Sequence, residues 1–152
     1  MVGADDKPIY LAGPMSGIPQ FNFPMFDAVA SLMRAKGWDI QSPAELDEDD
    51  VRNAALASKD GAPMGRVGGR DVTWGDFLAR DVKLLADECG GVLLLPGWEG
   101  SKGARLEAFV AILTGLPLWE YQPALVDGTE LQRGRAMHRI SNWTIEGNAC
   151  DF

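Results

Sequence analysis

The stretch RDVKLLADECGGVLLLPGWEGSKGARLE, residues 80–107, decides how this chain is read. It starts in the back half of a helix and passes through the apolar run Gly91-Val92-Leu93-Leu94-Leu95. It then turns at Pro96-Gly97, crosses a glycine-rich loop and enters a second helix carrying Glu107. An uninterrupted apolar run bounded by turn residues is the pattern of a strand covered on both faces, so this run is expected to be the central strand of a parallel sheet. Asp81 and Glu107 then flank a loop whose backbone amides could hold an anion, which is the layout of a small-molecule site.

Working outward, Thr73 reads as an N-cap, followed at spacings of three and four by Trp74, Phe77, Leu78, Val82, Leu85 and Ala86. Asp76, Asp81 and Asp87 fall among the polar positions of that helix. Downstream, a helix over 104–114 ends at Gly115, and residues 116–121 form a further strand. Towards the N-terminus, residues 8–13 are a short apolar run closed by Gly13-Pro14, and Phe26, Val29, Ala30, Leu32 and Met33 repeat at helical spacing up to Lys36-Gly37. Residues 38–42 are a second strand ended by Pro43. This β-α-β unit implies a right-handed crossover between parallel strands, and the loop after the first strand opens at the sheet edge where ligands bind in such folds.

The pattern predicts an α/β protein: one domain, a flavodoxin-like or Rossmann-like three-layer sandwich with about five mostly parallel strands. Residues 1–121 form that domain. Residues 58–70 (SKDGAPMGRVGGR) lack an apolar period and read as a mobile loop that could act as a lid. Arg66 and Arg70 there are either solvated or within reach of an anionic ligand. The acidic run ELDEDD, residues 45–50, reads as charge at the N-terminus of a short exposed helix. Residues 122–152 form a C-terminal arm without clear period: an irregular arm, a short hairpin around 139–145, or a segment that builds an oligomer.

The 152 residues, 46% of them hydrophobic, suffice for a single core. A net charge of −8 argues against a nucleic-acid polymer as partner, since phosphate-backbone affinity comes from clustered Lys and Arg. The acidic N-terminus lacks the apolar segment of a signal peptide and no long apolar run follows, so no membrane partner is expected and the expected location is cytoplasmic. Cys89 and Cys150 read as free thiols. His138, the only histidine, lacks companions for a metal site.

Tyr10-Leu11-Ala12-Gly13-Pro14, then Arg80-Asp81 in a helix before an apolar strand, then Ser101-Lys102-Gly103-Ala104-Arg105-Leu106-Glu107, together resemble the nucleoside 2-deoxyribosyltransferase-like superfamily. Closest in appearance is its small branch with a YLAGPMSG start, often encoded by bacteriophages and related to nucleotide N-hydrolases. The resemblance covers about residues 7–121. It implies an enzyme of nucleotide metabolism, a hydrolase or transferase acting on the base–sugar bond of a nucleoside 5'-monophosphate or nucleoside. No metal or organic cofactor is implied, and a homodimer or higher homo-oligomer is.

On chemistry alone, retaining cleavage of a glycosidic bond needs an attacking carboxylate and an acid about 5 Å apart. Glu107 and Asp81 could be that pair, or a helix-dipole residue and a surface residue. The resemblance makes Glu107 the nucleophile, Asp81 the residue assisting base departure, and Tyr10 the hydroxyl that orients Glu107. It also gives Ser101 the 5'-phosphate, with Gly103 allowing close backbone approach; the alternative for both is an ordinary surface turn. Gly13, Pro14, Met15, Ser16 and Gly17 form a second donor loop. Asn22 and Phe23 could touch sugar or base, and Trp98 could stack on a base, though each could equally be packing. A neighbouring subunit's Ser141 or Asn142 could complete the site. The readings that remain are hydrolysis, base exchange, and nucleotide binding without turnover.

Overall fold

The computed structural model describes residues 7–121 and 137–139. Its centre is a pair of parallel strands, β1 (Ile9–Ala12) and β5 (Gly91–Leu94), in register from Ile9 opposite Gly91 to Ala12 opposite Leu94. Every residue of both strands is buried, as the apolar runs require. β2 (Ile40–Gln41) pairs parallel to β1, and β6 (Leu118–Tyr121) parallel to β5. β7 (Met137–Arg139) closes the sheet antiparallel to β6, giving the order β2-β1-β5-β6-β7.

Alternation along the strands makes two cores. Ile9, Leu11 and Leu93 face α1 (Phe23–Ala35) and α2 (Asp49–Ala57), packing with Phe26, Val29, Met33 and Ala55. Tyr10, Ala12, Val92 and Leu94 face α3 (Trp74–Glu88) and α4 (Lys102–Leu113), packing with Leu85, Ala104, Ala108 and Ala111. The protein is therefore an α/β three-layer sandwich. Full burial of each large aliphatic side chain contributes roughly 1.5–3 kcal/mol, so the two faces are stabilised separately by their own helix pairs.

Helix boundaries follow local signals. Pro24 lies in the first turn of α1, and Gly37 takes a φ of 91° just after its end. Thr73 caps α3 by accepting from the Asp76 amide, as its sequence position predicts. The expected apolar face of α3 is altered at two positions: Trp74 is 55% exposed, and Asp81 shares with Leu85 the buried stripe of the helix.

Two regions differ from the sequence reading. Within the expected loop over 58–70, residues from 65 onward pair as a hairpin, β3 (Gly65–Val67) with β4 (Arg70–Val72). Gly68 and Gly69, with φ of 60° and 78°, supply the two positive angles of a tight hairpin turn. The arm contributes β7 to the sheet; the rest of 122–152, with the expected hairpin around 139–145, Ser141, Asn142 and Cys150, lies outside the described residues. Among the described residues no helix is long and apolar enough to cross a membrane.

The chain leaves β1 towards β2 on one side and returns to β5 on the other, so the loops after β1 and β5 part at the carboxyl edge of the sheet. That parting is where α/β sheets open a crevice. Its base is narrow: the Leu95 amide donates to the Ala12 carbonyl at 2.7 Å, and a Cβ on Gly13 would stand 2.8 Å from the Leu95 Cβ. Gly13→Ala is expected to cost about 1–3 kcal/mol through overpacking and to lower the melting temperature by several degrees. Thermal unfolding followed by circular dichroism checks this; an unchanged midpoint would mean that the strand ends part freely.

Candidate active site

The crevice is a cavity of about 610 Å³. At its floor the Tyr10 hydroxyl, on the second residue of β1, donates to Glu107 Oε2 from the second turn of α4. Tyr10 is fully buried, and Glu107 and Asp81 are only 7% and 8% exposed. The structure thus brings the three residues of the sequence-based catalytic set to one place. The Tyr10 hydroxyl also reaches Asp81 closely enough to favour its carboxylate.

Burial dominates the electrostatics. Desolvation pushes the Glu107 carboxyl up to about 8, against the hydrogen bond from Tyr10 and with the Asp81 charge adding to the rise. Asp81 is also raised by burial, but Arg80 opposes that rise through a hydrogen bond and its charge. The phenol of Tyr10 is held far above its ordinary value by burial and then by the charge of Glu107, so it stays a hydroxyl. Burial thus keeps a proton on Glu107 up to about pH 8, while Arg80 favours the ionised form of its neighbour Asp81.

Arg80 joins this group to the other side of the crevice. Its Nε donates to Asp81 Oδ1 at 2.8 Å and its Nη1 to Asp47 Oδ1 at 2.5 Å, while the guanidinium lies 5.4 Å from the centre of the Phe77 ring. Asp47, from the acidic run, is thereby a covered cavity residue rather than a solvated helix-end charge. Phe23 lines the cavity as expected, whereas Asp47, Arg80, Lys102, Phe21, Trp74 and Phe77 are lining residues that sequence reasoning missed as such. The only available signal was the helical spacing of Trp74, Phe77 and Asp81, which places them on one side of α3.

The rim divides by chemistry. Gly13, Pro14, Met15 and Ser16 after β1, with Ser101, Lys102 and Gly103 at the start of α4, form a polar and amide-rich side. Ser101 is the N-cap of α4, accepting from the Ala104 amide at 3.2 Å; this structural duty leaves its hydroxyl proton available for donation. A Cβ at Gly103 would meet nothing, so no protein packing accounts for that glycine. Phe21, Phe23, Pro63, Met64, Trp74 and Phe77 form the apolar side.

Three of the candidate binding residues do not line the cavity. Trp98 is buried in the core beneath α4, with its indole N–H donating to Glu120 at 3.0 Å, and does not line the cavity. Asn22 braces the loop, donating to the Pro14 carbonyl at 3.0 Å, and Gly17 donates its amide to the Gly61 carbonyl; neither lines the cavity. Of the two readings open for Arg66 and Arg70 the surface one holds: they bond to Asp71 and to Asp50, away from the cavity.

A family model matches residues 7–120. The chain belongs to the family described as a domain of unknown function, DUF4406. No curated protein and no solved structure matches it. Every DUF4406 residue of the cavity, from Gly13 to Glu107, lies inside the matched span, as do the hairpin and the parallel strands up to Glu120 in β6. Of the described elements, only β7 lies wholly beyond it.

Because Glu107 holds its proton more tightly folded than unfolded, the stability this brings is complete below about pH 4.5 and is lost as pH rises through about 8. Wild-type protein should lose about 5 °C or more of melting temperature between pH 5 and pH 9. Glu107→Gln, which keeps an acceptor for Tyr10 but cannot ionise, should lose distinctly less. Parallel slopes for the two proteins in a pH series of melts would contradict the assignment.

Proposed function

We propose that this protein is a cytoplasmic N-glycosidase that cleaves the base–sugar bond of nucleoside 5'-monophosphates. The observation that carries the reading is the buried group of Tyr10, Glu107 and Asp81 at the floor of a cavity with one polar, amide-rich side and one aromatic side. Such a cavity suits a ligand with an anionic end and a flat apolar end. The sequence resemblance supplies the reaction, and a homo-oligomer belongs to the same proposal.

In this reading Glu107 gives its proton to the Tyr10 oxygen while the Tyr10 hydroxyl, turned from Glu107, gives its own proton to Asp81, leaving Glu107 as carboxylate and Asp81 as acid. Glu107 then bonds to C1' while the C1'–N bond breaks; the electron pair goes to the base nitrogen, which takes the proton of Asp81. Asp81, now a carboxylate, accepts a proton from water as that water attacks C1', releasing the sugar phosphate and restoring the Glu107 carboxylate. Ser101, Ser16 and the first amides of α4 would hold the phosphate. Phe77 and Trp74 would bear on the base.

The resting proton on Glu107 favours a second reading, since a protonated carboxyl does not attack: a domain that binds a nucleotide without cleaving it. Incubation with a mixture of ribo- and deoxyribonucleotides and nucleosides, scored for free base by chromatography, separates the two. Free base is expected from wild type and none from Glu107→Ala at equal folded content; a ligand recovered intact on prolonged incubation would favour binding alone. Addition of a free acceptor base tests exchange, which would appear as a new nucleoside or nucleotide.

The pH dependence follows from the proton on Glu107. Base release, as kcat/KM, should fall as pH rises through about 8, where Glu107 loses that proton. A rate that climbs through that range would remove Asp81 as the acid.

A further inference from the structure

Asp47 has no part in the bond-breaking step, yet its side chain is only 5% exposed and is turned onto Arg80. It comes from the segment between the 3-10 turn Pro43–Glu45 and α2, on the far side of the sheet edge from α4. Arg80 is held by four contacts: Asp47 through Nη1, Asp81 through Nε, the Pro43 carbonyl through Nη2 at 3.4 Å, and the Phe77 ring alongside. A planar guanidinium held in this way cannot turn off one aspartate without disturbing its bond to the other.

We propose that Arg80, anchored by Asp47, is the positioning residue of this site: its guanidinium ties Asp81 to Asp47 and fixes the Asp81 carboxylate facing the cavity. The charged and titratable groups facing the pair are Tyr10 from β1, Arg80 from α3, Asp47 from the segment before α2, and Lys102 from the start of α4. Asp47, Asp81 and Glu107 are acidic, and Arg80 is the cation bonded to the first two. Removal of Arg80 leaves Asp81 buried beside two other acids without its ion pair, and Asp81 then binds a proton more tightly. The inference deepens the glycosidase reading, because it names what must loosen before Asp81 can act as an acid. It stands on the geometry of these side chains and is tested without turnover.

The test uses the full chain with 13C-labelled carboxyl groups on Asp and Glu, followed by NMR across pH, with signals assigned through Asp81→Asn and Glu107→Gln. In wild type, Asp81 is expected to titrate below Glu107. In Arg80→Gln the Asp81 midpoint should move up by about one pH unit or more, a tenfold gain in proton affinity. Arg80→Lys keeps the charge without the fork and should give a smaller rise; it also serves if the glutamine variant does not fold. In Asp47→Asn the Arg80 Nε–H signal, sheltered from solvent exchange in wild type at pH 7, should broaden while circular dichroism is unchanged. An Asp81 midpoint that stays in place in the Arg80 variants, or an Arg80 signal indifferent to Asp47→Asn, overturns the proposal. Because none of these readings requires base release, a protein that binds but does not cleave would leave the inference to be decided on its own.

Discussion

Burying a carboxyl group under a helix that packs on a sheet is costly unless a donor meets it, and Tyr10 is that donor for Glu107. The bond ties the central strand β1 to α4 at the level where the sheet opens. Small residues make the approach possible: α4 presents Ala104, Ala108 and Ala111 to the sheet around Glu107, letting the helix lie close enough for the phenol to reach. Had that face carried larger side chains, α4 would stand off and the pair would be separated by packing. The electrostatic character of the cavity floor is thus a consequence of how tightly one helix sits on one strand.

The framework was legible because it rests on strong local patterns. The apolar runs at Ile9–Ala12 and Gly91–Leu94 are strands covered on both faces, and Thr73 begins its helix with the predicted cap. The hairpin over 65–72 escaped an argument based on apolar period, since its residues are mostly exposed and polar. Its mark in the sequence is the Gly68-Gly69 pair between two short runs, a turn signal that needs no hydrophobic alternation. Trp98 shows the opposite failure. An aromatic residue in a glycine-rich loop beside a site invites a stacking role, but its indole has a core to fill and a carboxylate to bond within the fold.

The site itself was legible where residues are joined through the chain's own motifs and illegible where they meet only in space. Tyr10, Asp81, Ser101 and Glu107 stand in stretches whose order and spacing carry a resemblance. Asp47 stands in a run of acids that looks uniformly solvated, and nothing in ELDEDD distinguishes the member that turns inward. By its charge Asp81 falls among the polar positions of its helix, but its spacing to Leu85 puts it on the stripe that packs inward. A charge on the apolar stripe of a helix is the more telling observation, since it must find a partner or a cavity, and here it has both.

The loop after β1 has a further property. Gln20, Phe21 and Asn22 all adopt left-handed backbone angles, with φ of 58°, 51° and 60°, which residues bearing a Cβ rarely do in succession. The strained turn is laced to the segment after α2: Gly17 donates to the Gly61 carbonyl and Gln20 to that of Ser58, while a Cβ on Gly61 would collide with Ile18. Two stretches of chain that line the same mouth are therefore sewn into a single panel. Phe21 and Met64 ride on that panel, so this part of the apolar wall moves as a unit, and any widening there for a larger guest must release stored backbone tension together with the seam that holds it.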